Sequence, residues 1–296
     1  MNNTPLYVDL VELRELIRIA LREDIGTGDV TTESTIPVNT RARGVFKAKE
    51  SGVLAGIQVM DIVFDEVDPN LKTEWTCVDG APIQAGQILG SVQGSARSIL
   101  AGERLALNYL QRMSGIATLT RSMCDELAGS NSRLLDTRKT APGLRMLDKW
   151  SVRLGGGLNH RVGLFDMILI KENHIAAAGG IEKSLDGAVR RTAGTDLRIE
   201  IEVRSLDELR QVLAHGGAHR VMLDNFVLRG PDGPNTALLT EALEIVEGRL
   251  ETEASGNVTL DTLRAIGKTG VDFISSGALT HSVRALDVSL LVNIDR

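Results

Sequence analysis

The residues of this sequence best suited to chemistry are cations gathered where acids are scarce. From Arg138 to Lys171 there are seven Lys/Arg and only two acids, Asp148 and Asp166. The whole chain holds 39 Asp+Glu against 33 Lys+Arg, for a net charge of −6. A cationic island in an acidic protein points to a polyanionic ligand. Arg138, Lys139, Arg161 and Lys171 are its candidate members. Guanidinium forks grip carboxylates and phosphates through paired hydrogen bonds, and lysine adds a mobile point charge. Gly143 and Gly155-Gly156-Gly157 are interleaved with these cations and are expected to let backbone approach the ligand closely. His160 precedes Arg161 and has two readings of equal weight, a satisfied structural group or a hydrogen-bond donor to the anion. A general base is disfavoured there, because the sequence supplies no orienting carboxylate beside it. Arg145, Lys149 and Arg153 fall on a helical pattern and are expected at the surface or in ion pairs.

The acids that matter are those closing apolar runs. Glu202 and Asp224 end successive strand patterns, Ile199–Glu202 and Val221–Asp224, and so belong on one rim. Two carboxylates facing a cationic pocket suit a metal ion shared with substrate phosphates, sugar hydroxyls, or a carbocation-like centre. Internal pairing with the lysines is the plainer alternative. Glu200 shares a face with Glu202, since residues two apart do so in a strand, but Glu202 lies nearer the strand end. Two small-residue turns, Ser255-Gly256-Asn257 and Ser275-Ser276-Gly277-Ala278, fit phosphate binding through backbone N–H groups at late strand-to-helix loops. There is no Walker A sequence, no G-x-G-x-x-G fingerprint and no Ser-His-Asp elbow to compete. His215 and His219 are spaced by four, but Gly216-Gly217 between them argues for a turn rather than a ligating helix face.

These groups need elements to hold them. From about residue 133, short apolar runs ending in polar residues alternate with helical patterns such as Ile181–Ala193, Ser205–Ala214 and Ala237–Leu250. The strand ends fall at Asp136, Lys171, Glu202, Asp224, Ser255 and Ser276. Strands alternating with helices imply a parallel sheet, with functional groups at the C-terminal strand ends. Residues 118–275 are too few for eight units, since a closed barrel takes about 250 residues. Six or seven parallel strands are expected, in an open, incomplete α/β barrel. Ser205 to Glu208 reads as a capping box.

Upstream, residues 8–22 read as an amphipathic helix with Leu10, Leu13, Ile17 and Leu21 on one face. GTGDVTTES reads as a loop. Residues 41–94 mix short strands with a helix over Ile57–Val67, giving a small α+β domain with a strongly turned sheet. A long helical stretch, Ala96–Leu127, follows, and Ser114-Gly115 marks a break in it. The expected domains are 1–117 and 118–278, with the apolar tail within 279–296 returning to the first.

Composition excludes several classes. The N-terminal MNNTPLYVDLVELRELI lacks a basic segment before an apolar core, so no secretory signal is expected. No run of about 18 apolar residues is present, which argues against a membrane span. An acidic chain with 3% aromatics is a poor nucleic-acid surface. Cys77 and Cys124 lack metal-ligand spacing and are expected as reduced thiols of a cytoplasmic protein.

The same residues resemble the quinolinate phosphoribosyltransferase family, also called carboxylating nicotinate-nucleotide pyrophosphorylases. The likeness runs along nearly the whole chain. It includes Ala20-Leu-Arg-Glu-Asp24-Ile-Gly26, Glu103-Arg104-Leu-Ala-Leu-Asn108, Ser114-Gly115-Ile-Ala-Thr118 and Asp136-Thr137-Arg138-Lys139-Thr140. It continues through Asn159-His160-Arg161, Lys171 with Asn173-His174, Glu202-Val203, Leu223-Asp224-Asn225, Glu253-Ala-Ser-Gly256 and Ser276-Gly277-Ala278-Leu-Thr-His281.

The resemblance implies an N-terminal α/β sandwich followed by an open α/β barrel. It implies transfer of phosphoribosyl from phosphoribosyl pyrophosphate to quinolinate, with Mg²⁺ as cofactor. The products are nicotinate mononucleotide, pyrophosphate and CO₂. It implies that Arg138, His160, Arg161 and Lys171 surround the quinolinate carboxylates, with Thr137 among the substrate-binding residues. Lys139 and Lys171 would lie near phosphoribosyl pyrophosphate, and Glu202 and Asp224 at the ribose and Mg²⁺. Ser255, Gly256, Asn257, Ser276, Gly277 and Ala278 would hold the 5′-phosphate. Lys139, Lys171, Glu202 and Asp224 are the catalytic candidates. Arg104 would come from a neighbouring subunit, which implies at least a homodimer. Two positions depart from the family: Asn257 where a glycine is common, and Ser151 where alanine is usual.

Three rivals remain at this point. They are a sister phosphoribosyltransferase for another aromatic acid or heterocycle, a catalytically silent nucleotide-binding protein, and an aldolase using Lys171 as a Schiff base.

Overall fold

The structure, a computed structural model, describes residues 5, 7–230 and 233–294. Residues 1–4 and 6, part of the stretch expected to carry no secretory signal, lie outside it. So do 295–296, the last of the expected returning tail.

In chain order the first elements are helices α1 (Leu10–Ile25) and α2 (Val30–Thr35), strands β1 (Arg41–Ala48) and β2 (Gly52–Val53), and helix α3 (Ile57–Val67). Strands β3 (Lys72–Trp75), β4 (Pro82–Ile83) and β5 (Ile88–Ser95) lead into helix α4 (Ala96–Glu126). Then come β6 (Arg133–Leu135), α5 (Arg145–Gly155), β7 (Ile168–Ile170), α6 (Glu172–Ala178), α7 (Ile181–Thr192), β8 (Ile199–Val203), α8 (Leu206–His215) and β9 (Arg220–Asp224). The remainder are β10 (Leu228–Gly230), β11 (Gly233–Asn235), α9 (Ala237–Val246), β12 (Glu251–Ser255), α10 (Leu260–Gly267), β13 (Phe273–Ser275), α11 (Ala278–His281) and β14 (Val288–Ile294).

The chain divides into two compact units. One runs through Arg121 and includes Ala141–Gly156 and the segment from Ser282; the other holds Ser122–Thr140 and Gly157–His281. Against the expected 1–117 with 279–296 and 118–278, the boundaries move to 121/122 and 281/282, and Ala141–Gly156, which holds α5, falls in the first unit.

The first unit carries a four-stranded antiparallel sheet in the order β14-β1-β5-β3, so the C-terminal strand pairs with β1. Helix α1 begins at Asp9, whose carboxylate accepts from Val11 N–H and Glu12 N–H. It buries Leu13, Ile17 and Leu21, while Leu10 in its first turn stays 41% exposed. Val59, Met60, Val63 and Phe64 of α3 are also buried, and Phe46 stacks on Trp75 at 5.2 Å. The stretch read as a loop after α1 contains a helix instead. Asp29 caps α2 by accepting from Thr32 N–H, a cap that the surrounding glycines mask in the sequence.

Helix α4 is unbroken, contrary to the expected interruption at Ser114-Gly115. Ser114 Oγ accepts from Ala55 N–H at 3.0 Å. A Cβ at Gly115 would meet the Arg284 carbonyl oxygen at 2.1 Å. The small residues serve close packing, not helix termination.

The second unit is the open α/β barrel. Six parallel strands run in the order β6-β13-β12-β9-β8-β7. Leu158 adds a single parallel bridge to Leu135 at the outer edge of β6. No pairing joins β7 back to that edge among the described residues, so the sheet curls without closing. All strands point the same way, and their C-terminal ends share one rim.

Candidate active site

Each strand end delivers its polar group to that rim through a local cap or turn. At the end of β6, buried Asp136 accepts from the Asn159 side chain at 2.7 Å and from His160 N–H at 2.8 Å. This fixes the loop that presents His160 and Arg161. After β7, His174 Nδ1 accepts from Lys171 N–H at 2.9 Å and sets the backbone from which the lysine projects. After β9, Asn225 adopts a left-handed backbone, φ 62°, and its N–H donates to Ser255 O of β12.

These turns converge on a hollow of about 160 Å³ lined by Arg138, Lys139, Arg161 and Lys171, with Thr137, His160 and Ser255 in the wall. Leu169, Met222, Glu253 and Ser275 complete its lining, and Glu253 and Ser275 are buried. The Nε atoms of Arg138 and Arg161 are buried and have no hydrogen-bond partner. Burial, and then the neighbouring charge of Arg138, lower the Arg161 pKa. Asp166 and Glu200 offset part of this, yet the Nε–H groups of both arginines stay unpaired and are set to receive an anion.

The acids sit beside this hollow. Glu202, 7% exposed, accepts from Lys171 Nζ at 2.8 Å, so the plainer expectation of lysine pairing holds for it. Arg204, which sequence reading missed, lies 3.7 Å from both Glu202 and Asp224 and also pairs with Glu172. Burial, then the charge of Glu202, raises the Asp224 pKa. The capping box at Ser205 is only half formed: Ser205 Oγ accepts from Glu208 N–H, but Glu208 accepts from Arg204 N–H instead.

Several expectations need correction. Gly155 and Gly156 serve packing and helix termination within the first unit. A Cβ at Gly155 would meet Ala117 O at 2.5 Å, and Gly156 ends α5 with φ 100°. Lys149 is wholly buried on α5, which removes the surface half of the expectation for it. His160 has both ring nitrogens engaged by protein. Nδ1 accepts from Arg161 N–H at 2.8 Å, and Nε2 lies 2.9 Å from Glu200. The sequence favoured Glu202 over Glu200 and gave Glu253 no role, yet both Glu200 and Glu253 are fully buried behind His160.

The remaining candidates are placed as follows. Asn257 has φ 54° and donates from Nδ2 to Val227 O, so the replacement for glycine takes the left-handed conformation asparagine tolerates. Gly256 has φ 86°, and a Cβ there would strike the Asn225 side chain at 2.2 Å. Ser276 is buried and its N–H donates to Leu135 O; Gly277 packs against Lys139, and Ala278 opens α11. Ser151 donates to Leu147 O within α5, which satisfies the hydroxyl that alanine lacks. Arg104 is exposed on α4 in the first unit and does not line the hollow. Gly216 and Gly217 both have positive φ, so His215 and His219 do not share a helix face. The described residues include no helix long and apolar enough to cross a membrane.

Comparison with known proteins agrees along the whole length. The pattern described as "Quinolinate phosphoribosyl transferase, N-terminal domain" matches residues 29–114, and its "C-terminal domain" counterpart matches 116–291. "Quinolinate phosphoribosyltransferase [decarboxylating] 1" of Nicotiana glauca is 50% identical over 293 residues, covering 96% of this chain and 83% of that protein. "Probable nicotinate-nucleotide pyrophosphorylase [carboxylating]" of Bacillus subtilis is 40% identical over 284 residues, covering 96% and 94%. The solved nicotinate-nucleotide pyrophosphorylase of Francisella tularensis superposes with a TM-score of 0.88 at 38% identity, covering 99% of both chains. With a cationic hollow on the rim of an open barrel and matches to both domains, this chain belongs to the quinolinate phosphoribosyltransferase family.

Proposed function

We propose that the hollow binds quinolinate and that the chain joins it to phosphoribosyl pyrophosphate, releasing pyrophosphate and CO₂ and leaving nicotinate mononucleotide. The observation that carries this reading is the pair of buried, partnerless guanidinium Nε atoms, Arg138 and Arg161, in one wall with Lys139 and Lys171. A diacid neutralises such a wall, and Leu169 and Met222 offer apolar contact to a pyridine ring.

In this reading the ring nitrogen attacks the anomeric carbon as pyrophosphate leaves. The pyridinium then loses its 2-carboxylate, and the bonding pair stays on C2, where positive nitrogen stabilises it. Arg138, Arg161 and Lys171 orient the diacid, and Lys139 and Lys171 face the pyrophosphate side. Such positioning supplies on the order of 7–11 kcal/mol in good cases. Glu202 and Asp224 face the ribose. Ser255, Gly256, Asn257, Ser276, Gly277 and Ala278 receive the 5′-phosphate through backbone N–H groups and hydroxyls.

The cofactor in this reading is Mg²⁺, and the residues fit it. Glu202 and Asp224 are hard oxygen donors; burial, and then the charge of Glu202, raises the Asp224 pKa, and a cation would offset that repulsion. These two carboxylates would hold the ion, which supplies positive charge to offset that of pyrophosphate. Arg104, exposed on α4, serves the site of a second copy of the chain, making a homodimer the smallest active unit. The cytoplasm is the proposed compartment, in keeping with Cys77 and Cys124, which form no disulfide among the described residues.

The direct test mixes the protein with quinolinate, phosphoribosyl pyrophosphate and Mg²⁺ and seeks nicotinate mononucleotide by mass. Labelled CO₂ from carboxyl-labelled quinolinate must appear with it. Pyrophosphate release only with a different acid or heterocycle would assign the sister activity instead.

A further inference from the structure

Barrel interiors are ordinarily filled by layers of branched aliphatic side chains. In this barrel, β8 and β12 place two carboxyl groups beneath the cationic hollow, Glu200 and Glu253, both at 0% exposure. One oxygen of each and a ring nitrogen of His160 lie within 4.8 Å of one another. Glu253 Oε2 is 3.3 Å from Arg220 Nη1 on β9 and 3.7 Å from His160 Nε2. Ser275 of β13 lines the same floor. The Oε1 atoms of both glutamates have no hydrogen-bond partner.

Three such ligand atoms invite a metal ion, but the imidazole argues against one. Nδ1 accepts a backbone N–H, so the neutral ring carries its proton on Nε2, directed at Glu200. A metal would need the lone pair that this proton occupies. The remaining way to relieve two buried carboxyl groups is a proton. Loss of water raises the pKa of both carboxyl groups; with the charge of Glu200 added, it pushes Glu253 up to about 8, while His160, Ser275 and Arg220 act in the opposite sense. Of the two, Glu253 is the one that lines the anion pocket, and the shift favours its neutral form there. Ionised, it would repel the ligand that the cations gather.

We propose that Glu253 is the general acid that protonates the pyridine ring at the carbon vacated by CO₂. This rests on the reading of the hollow as the quinolinate site. The C2–carboxylate bond breaks and its electron pair stays on C2. The Glu253 O–H bond then breaks and its proton forms the new C2–H bond. Glu253 is left as a carboxylate beside Arg220, and solvent restores its proton after product leaves. The balance is one proton consumed for each CO₂ released.

The other proton carriers in the wall are committed elsewhere. Lys171 donates to Glu202 and is 47% exposed, and Lys139 stands exposed on the rim. The His160 proton faces Glu200. Guanidinium groups do not give up protons in proteins, and the wall hydroxyls are far weaker acids than a carboxylic acid.

The experiment follows pyrophosphate and CO₂ separately in single turnovers of the Mg²⁺-loaded protein with carboxyl-labelled quinolinate. In Glu253→Gln, which keeps the neutral shape, CO₂ release should slow on the order of 10²–10⁴-fold. The loss should fall far more heavily on CO₂ than on pyrophosphate, and quinolinate mononucleotide should accumulate. Release of both products in the wild-type ratio would overturn the role of Glu253 while leaving the proposed activity standing. Wild-type protein that gives no pyrophosphate from these substrates would overturn the activity itself. Should Glu253→Gln fail to fold, the wild-type pH profile decides. CO₂ release after transfer should fall about tenfold per pH unit at alkaline pH, and a rate flat across that limb would overturn the proposal.

Discussion

Lys171 Nζ donates to Glu202 Oε2 at 2.8 Å, tying the end of β7 to that of β8 where the cationic wall meets the acidic rim. The bond holds a lysine 47% exposed over a carboxylate only 7% exposed. It keeps the ammonium at the mouth of the hollow in the absence of ligand. Lys171→Ala should remove one anion contact and also leave Glu202 facing only Arg204 at 3.7 Å. A loss of about 10²–10³ in kcat/KM is expected, the usual effect of deleting one electrostatic contact at a reacting centre. Steady-state pyrophosphate release measures it. Because the two residues share one interaction, Lys171→Ala with Glu202→Gln should lose less than the sum of the single losses. Wild-type rates in Lys171→Ala would remove it from the site.

Arg161 is a second test, since its value lies in shape as well as charge. Its Nη1 donates to Met167 O at 3.2 Å, which aims the fork, while Nε stays without a partner. Arg161→Lys keeps the charge and loses the paired donors. The expected outcome is a rise of about 10–100-fold in KM for quinolinate, the scale of one charged hydrogen bond, with KM for phosphoribosyl pyrophosphate little changed. Equal rises in both constants would mean that Arg161 does not face the diacid.

The strand ends were legible because six apolar runs each stop at a polar residue, and a parallel sheet gathers such stops on one rim. What lay beneath the rim was not. Every residue of β8, Ile199 to Val203, is buried on both faces, so no alternation told which acid faced the hollow. Glu253 looked like one more polar residue in a mixed strand. Its importance depends on Glu200, His160 and Arg220, which come from other strands and loops. Arg204 was missed because it follows Glu202 by two and reads as ordinary surface charge. The glycines of Gly155-Gly156-Gly157 misled because close packing and ligand approach make the same demand on a sequence: no Cβ.

The proposed sharing of the site between subunits has a mixing test. Arg104→Ala and Lys171→Ala should each be nearly inactive as homodimers. After unfolding and refolding together in equal amounts, half the dimers are hybrids, and each hybrid rebuilds one of its two sites from undamaged residues. About a quarter of wild-type activity should return. No recovery, with hybrids verified by mass, would place Arg104 in the same site as the Lys171 of its own chain.

Two glycines in helices should respond to alanine in opposite directions. At Gly115 a Cβ would lie 2.1 Å from the Arg284 carbonyl oxygen, so backbone must move and Gly115→Ala should cost about 1–3 kcal/mol. At Gly187, inside α7, the nearest atom to a new Cβ is the end of Arg190 at 4.0 Å. Gly187→Ala should therefore stabilise by about 0.5–1 kcal/mol through helix propensity. Urea denaturation of the three proteins checks both signs, and a tolerated alanine at 115 would contradict the close approach of the segment after Ser282 to α4.

The buried Glu253 also makes stability depend on pH in a definite direction. Its pKa rises from 4.5 to about 8 on folding, because burial and Glu200 disfavour its charge more than Arg220 and His160 favour it. Between those values the folded chain holds a proton that the unfolded chain has lost. The stability linked to that proton is complete below 4.5 and is lost as pH rises through about 8. Glu253→Gln cannot titrate, so the variant should gain on wild type across this window, by up to about 1.4 kcal/mol per pH unit. Groups titrating elsewhere affect both proteins alike and cancel in the difference. Paired urea denaturation curves measured at steps through the window read that difference directly. A constant offset from acid to alkaline pH would mean that Glu253 is already ionised in the folded protein, and the buried floor would then carry its charge on Arg220 and His160 instead.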